Sequence, residues 1–315
     1  MRPAAGGESL QPFLNADQNP FIQVYSPPPP QSARLVRPGA WRIALQLDLT
    51  SNSIGEGDSV ENLVLDGETY RSALSLSYGL SDRLEAGIVV PYLMHRRGVF
   101  DNFIEDWHDT FGLSNRKRTA FARDQLDYAY TGSEASQQLD EPAEGLGDVR
   151  LTLGYPVARS EEAGRDIALH ASLKLPSGDA AKLLGSEGTD LALQLSAVDS
   201  GLLRRWDATL FWSLGVLRLG DGEVLESLRR DYVAIGTLGL GRPVTGRISL
   251  KMQLDGHTSF YDSELAALGS NTVQLTVGGE IDLPGLATVD LGLVENLFTD
   301  TTPDLVFHLA WRTVL

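Results

Sequence analysis

From Ala40 to Leu315 apolar and polar residues alternate with a period of two, and this pattern constrains the chain more than any other feature. Trp41, Ile43, Leu45, Leu47 and Leu49 share one face of the first ribbon, while Arg42, Ala44, Gln46, Asp48 and Thr50 share the other. Successive side chains of a strand point to opposite sides, so such a ribbon sets one face in an apolar medium and the other against polar groups. The pattern recurs at Leu74, Leu76, Tyr78 and Leu80, at Leu84 to Tyr92, at Val149 to Val157 and at Ile167 to Leu175. It continues at Leu191 to Ala197, at Trp206 to Leu214, in a glycine-rich ribbon near Tyr232, and at Ile248 to Leu254. Val273 to Ile281, a weak ribbon at Thr288 to Val294, and Leu305, Phe307, Leu309 and Trp311 complete the series. The expectation is about twelve strands, an even number of the kind single-chain bacterial barrels use.

The connections separate a membrane barrel from a soluble sandwich, which would also alternate. They run alternately short (81–82, 158–164, 199–203, 242–245, 283–286) and long (51–67, 95–145, 176–189, 219–230, 256–270, 295–302). One rim of tight turns and one of polar loops is the asymmetry of an outer-membrane barrel, and a Greek-key sandwich does not require it. With both termini periplasmic, Trp41, Tyr78, Tyr155, Trp206 and Trp311 fall near the inner end of the apolar face, and Tyr70, Tyr92 and Tyr232 near the outer end. Aromatics at two levels are the girdles of a membrane barrel. Alternating apolar residues up to Leu315 resemble the assembly signal that ends many such barrels, although Leu315 stands where an aromatic is usual.

Composition excludes several classes. No apolar run approaches the roughly 18 residues of a membrane helix, whereas a barrel strand needs only alternate residues apolar. The net charge of −16 argues against nucleic acid as a partner, and the absence of cysteine removes disulfides, thiolate metal sites and cysteine nucleophiles. No cofactor or metal motif is present. Residues 1–39 are rich in Pro, Asn and Gln, with four consecutive prolines at 27–30 that favour polyproline II and cannot join a sheet. The segment is expected to be a periplasmic extension or a plug at the barrel mouth. Residues 1–7 are too short and polar for a secretory signal peptide, so the chain is expected to be a mature form or to carry a misplaced start.

Several local strings are similar to an uncharacterised Gram-negative outer-membrane family, domain of unknown function 3187. They are Asn19-Pro20-Phe21, Ile104-Glu105-Asp106-Trp107-His108, Phe111-Gly112-Leu113, Gly145-Leu146-Gly147-Asp148 and Lys174-Leu175-Pro176-Ser177-Gly178-Asp179. The last two also resemble a wider group of transport-related barrels. The resemblance implies fold and location, and it supplies no catalytic residues.

Parity places Arg42, Asp48, Arg71, Glu85, Arg150, His170, Lys174, Lys251, Asp255, Glu280, His308 and Arg312 on the lumen side. Two readings follow: charge networks that fill a narrow interior, or a polar path for small solutes, whose mixed signs argue against strong anion or cation selectivity. The loop at 95–145 is long enough to carry structure of its own. Phe103, Ile104, Trp107, Phe111 and Leu113 have roughly helical spacing, so Trp107, His108 and Phe111 are candidates for a short helix that caps or plugs the barrel. Arg116, Lys117 and Arg118 could hold lipopolysaccharide phosphates, or could equally balance nearby acids.

Three functions are compatible with these residues. The first is a passive pore or small-solute channel. The second is an envelope scaffold or receptor with a protein partner, suited to the proline-rich lead and large loop. The third is a lipid- or lipopolysaccharide-modifying enzyme, for which His95 and His108 lie near the outer rim, although no catalytic signature surrounds them. Expected partners are outer-membrane lipid and lipopolysaccharide, the outer-membrane assembly machinery, a small polar solute and, for the second reading, an envelope protein.

Overall fold

In the computed structural model, residues 10–98, 125–297, 303 and 305–315 are described. Twelve strands close into one antiparallel barrel. In chain order they are β1 (Trp41–Gly57), β2 (Asn62–Ser81), β3 (Leu84–Arg96), β7 (Arg150–Ser160), β8 (Arg165–Lys174) and β9 (Asp190–Asp199). They continue with β10 (Thr209–Arg218), β11 (Tyr232–Pro243), β12 (Ile248–His257), β13 (Thr272–Leu283), β14 (Ala287–Asn296) and β15 (Leu305–Val314). β1 pairs with β2 on one side and β15 on the other, and β2–β3 and β3–β7 pairings complete the circle, so the barrel has no free edge. Three short strands, β4 (Asp127–Thr131), β5 (Ser136–Leu139) and β6 (Ala143–Leu146), extend the sheet beyond the circle by pairing along the upper parts of β2 and β3.

The alternation expected from sequence is visible as burial. Leu45, Leu47, Leu151, Leu193, Leu214, Leu250 and Met252 are exposed on the outer wall, while Gln46, Asp48, Arg150, Gln194, Lys251 and Gln253 are buried within. Trp41 and Tyr78, cross-strand neighbours on the outer face, bring their rings to 4.7 Å.

Two expectations need correction. The connection expected at 51–67 is mostly strand: β1 and β2 stay paired up to Gly57 and Asn62, leaving 58–61 as the turn. Small residues such as Ser51, Ser53 and Gly55 hid this from an argument based on apolar alternation. Trp206 also lies outside its strand. It ends a short 3-10 turn, Arg204–Trp206, whose cap Asp207 has φ 51°, and β10 begins at Thr209.

The rims differ as expected. Two-, four-, nine-, four- and three-residue connections (82–83, 161–164, 200–208, 244–247 and 284–286) form the turn rim. At the opposite, loop rim, parts of the longer connections pack into an apolar cap that includes Leu183, Val224, Phe260, Tyr261 and Leu268.

Candidate functional site

The lumen contains the lead from Leu10 onward. Leu10 lies against Gly241 near the turn rim, and the chain then climbs the wall built by β12 and β13. Gln253 binds both backbone groups of Phe13, accepting its N–H at 2.8 Å and donating to its carbonyl at 3.2 Å. Asn15 donates to Thr276, and Asp17 meets His257 at 2.9 Å. Asn19 caps the helical turn Pro20–Gln23 by accepting from the Phe21 N–H, so the Asn19-Pro20-Phe21 string is a capping device with proline at the first helical position.

That turn reverses the chain beneath the loop rim. Phe21, Ile22, Val24 and Tyr25 are buried in the apolar cap, at roughly 1.5–3 kcal/mol for each large side chain as an upper bound. Tyr25 stacks on Phe260 at 5.6 Å and donates to the Val224 carbonyl, while Tyr261 donates to the Phe21 carbonyl at 2.6 Å. Burial, with Tyr25 alongside, pushes the Tyr261 phenol well above its usual value, which keeps it a neutral donor.

The descending arm passes four prolines. Arg150 donates to the carbonyls of Tyr25 and Ser26 at its top, His170 meets the Ser32 backbone, and Arg34 pairs with Asp166 at 2.6 Å. Below these, Glu85 accepts the Val36 N–H at 2.5 Å, and the lead joins β1 beside Gly79. Between Ser26 and Ser32 the arm is held by packing rather than by main-chain hydrogen bonds to the wall, and below it Ala33 and Leu35 pack on Ala168, Val198 and Phe211. Pro27, Pro28 and Pro30 supply no N–H, and Gln194 Oε1 and Ser196 Oγ on the adjacent wall have no protein hydrogen-bond partner.

The inward residues chosen by parity are all buried or nearly so; Arg150 and His170 contact the lead, and the others fall into five groups. Asp48 receives Gln46 at 2.6 Å, His308 at 2.7 Å and Arg71 at 3.4 Å. Lys251 and Arg312 both reach Asp290 at 2.6 Å, with Glu280 3.5 Å from each; they also bind the Gln11 carbonyl and Gln11 Oε1. Glu85 stands 3.5 Å from Arg42. Lys174 is fully buried between Asp148 at 2.5 Å and Asp190 at 3.0 Å, and donates to Ser186. Asp255 accepts from Gln253 and Thr237.

The Lys174 group joins the two motifs that flank β7 and β8. Asp148 of Gly145-Leu146-Gly147-Asp148 accepts the N–H groups of Ser177, Gly178 and Ser186, while Lys174 of the second motif neutralises it. A Cβ on Gly185 would come within 2.3 Å of the Asp148 carboxylate, so glycine there is a condition of this fit. The pair of motifs thus folds the 175–189 loop inward.

Sequence reasoning did not single out Gln11, Phe13, Gln253, Asp190 or Asp290 as lumen contacts. Asp290 sits on the strand with the weakest alternation, and the lead residues have no periodicity that would orient them. His95 is buried with both ring nitrogens engaged, by Thr69 at 2.9 Å and the Leu183 carbonyl at 3.1 Å, so it is tied into packing. Trp107, His108, Phe111, Arg116, Lys117 and Arg118, with the expected helix, lie outside the described residues. Among the described residues no acidic or histidine cluster is arranged to hold a metal.

Comparison with known proteins gives a coherent picture of fold. The model of a family described as "Protein of unknown function (DUF3187)" matches residues 4–313. The crystal structure of the COG4313 outer membrane channel from Pseudomonas putida F1 superposes with a TM-score of 0.60 at 15% identity, covering 91% of this chain and 99% of that one. The NanC porin covers 86% and 98% at 8% identity, with a TM-score of 0.47 that is too low to argue from. Among curated proteins no sequence match was found. The likeness is one of fold: a closed antiparallel β-barrel like that of the outer-membrane channel.

Proposed function

The chain belongs to the DUF3187 family, and from that premise we propose that it is an outer-membrane channel for small polar solutes, closed at rest by residues 10–39. The reading sets the turn rim and both termini in the periplasm and the loop rim at the cell surface. The likeness in fold to an outer-membrane channel supports it. The observation that carries it is the stretch of the descending arm at Pro27 to Pro30, which lies along a polar wall without bonding to it. The ascending arm is hydrogen-bonded to the wall at Gln11, Phe13, Asn15 and Asp17, whereas the proline tract has no main-chain donors to offer the polar wall beside it. Movement of the descending arm exposes Gln194, Thr237 and Gln274 beside Asp255 and His257, a lining suited to hydroxyl-bearing or zwitterionic solutes.

The absence of native cysteine makes the test clean. Asn15→Cys with Thr276→Cys, at positions whose side chains lie 3.2 Å apart, fastens the ascending arm, and a second pair at Ser32→Cys and His170→Cys fastens the descending one. Solute flux into proteoliposomes is expected for the unmodified protein. It should fall on oxidation of the descending-arm pair and return with reductant. Flux indifferent to both crosslinks refutes a lead-controlled path, and no flux in any state refutes the channel.

A further inference from the structure

The outer wall carries a concavity of about 610 Å³ on a surface that closure of a barrel would otherwise make convex. Six neighbouring strands contribute to it: Met94 from β3, Tyr70 from β2, Leu47 and Leu49 from β1, Phe307 and Leu309 from β15, Leu291 and Leu293 from β14, and Val277 from β13. By parity the side chains of these residues face away from the lumen, so the concavity lies on the membrane side.

Behind the wall the packing is uneven. At this height the inward positions include Ala73, Ala310 and the cross-strand pair Gly278 and Gly292. The Asp48, Arg71 and His308 side chains fill the inside at the level of Leu49, whereas at the glycine pair the sheet lies close to the lead, where a Cβ on Gly292 would stand 3.4 Å from the Phe13 ring. The depth follows from strand geometry. Leu49 is eight residues beyond Trp41, a rise of about 26 Å along the strand, or about 20 Å along the barrel axis after tilt. The apolar band of such barrels is about 25 Å tall, and Leu291, four residues along β14 from the turn rim, stands about 10 Å up by the same count, so the concavity runs from near mid-height into the half nearer the loop rim. Above it, at the end of β3, stand Arg96, which pairs with Glu144, and the exposed Arg97.

We propose that this concavity is a binding site for one acyl chain of lipopolysaccharide, with the phosphorylated headgroup beside Arg97. The site rests on the orientation given above, which sets the loop rim in the leaflet that holds this lipid. A flat or convex wall is covered by annular chains that exchange freely. A concave, almost wholly apolar recess instead surrounds one chain on several sides and retains it, and an arginine at the headgroup level adds attraction for phosphate.

The experiment uses the full chain purified in mild detergent, with bis-phosphorylated lipid A and, separately, phosphatidylglycerol as probes, and native mass spectrometry to count retained lipid. One lipid A per barrel is expected to survive detergent exchange. Leu291→Trp or Val277→Phe, which fill the recess, should weaken retention about tenfold, equivalent to losing the burial of two methylenes. Leu193→Trp on the opposite outer wall should leave it unchanged. Arg97→Gln should weaken binding of bis-phosphorylated but not dephosphorylated lipid A. Heat-modifiable gel mobility confirms that each variant is folded, and two filling variants guard against one failing. Retention of phosphatidylglycerol in preference to lipid A, lost on filling, overturns the lipopolysaccharide assignment and with it the orientation. Retention of lipid A that neither filling variant alters overturns the site and leaves the channel reading untouched.

Discussion

Replacing Lys174 with methionine tests whether the motif-joining charge cluster holds the loop wall together. The ammonium is fully buried between two carboxylates, and methionine keeps the length while removing the charge. Removing one partner of a buried pair costs about 3–5 kcal/mol, because the other is left uncompensated. Here the lower end is expected. Asp148 retains three backbone N–H donors, and Asp190 retains the Gly220 N–H and the field of Arg150. A loss of about 3 kcal/mol lowers the folding equilibrium constant roughly 100-fold. Guanidinium titration of the barrel refolded in lipid vesicles, followed by tryptophan fluorescence, reads this as a lower midpoint with unchanged slope. Adding Asp148→Asn should recover part of the loss, with a coupling of at least about 1 kcal/mol. A single variant that loses less than about 1 kcal/mol, or a strictly additive double variant, refutes the argument that the cluster is a compensated unit.

Three other outcomes follow from the packing of the lead. Gly292→Val needs the space held by the Phe13 ring, so limited proteolysis should release residues 10–25 faster than in the unmodified protein, while the heat-modifiable barrel persists. Tyr261→Phe removes the donor to the Phe21 carbonyl at a cost of about 1 kcal/mol, read as faster amide exchange at residues 21–25. Arg34→Ala releases the descending arm near the turn rim. Its partly exposed pair with Asp166 is worth no more than about 1 kcal/mol, so solute flux should rise while the unfolding midpoint hardly moves.

The barrel wall was legible because a membrane imposes alternation on every strand, and Leu45, Leu151, Leu250 and their inward neighbours Gln46, Arg150 and Lys251 record it residue by residue. Legibility fell where that constraint lapses. Towards the loop rim β1 and β2 continue through Ser51, Ser53 and Gly55, where no apolar face marks the strand, and the sequence reads as a loop. The lead was harder still. Its prolines exclude sheet, yet nothing in its pattern says which wall residue faces Gln11 or Asn15, because each contact spans more than 200 positions of chain. Asp148 was visible only as part of a motif, and its three accepted N–H bonds require a loop whose course the sequence does not encode locally.

The path of the lead carries a topological consequence. Leu10 and Ala40 both lie at the turn rim, so the segment between them enters and leaves the lumen by the same mouth. A strand running from one mouth to the other would have to be threaded, and once the seam between β1 and β15 had zipped it could leave only by pulling a free end through. A doubled segment has no such obligation. It can slide in or out of a finished cylinder as a bight of rope passes through a ring, and neither the order of synthesis nor the moment of closure decides whether it is inside.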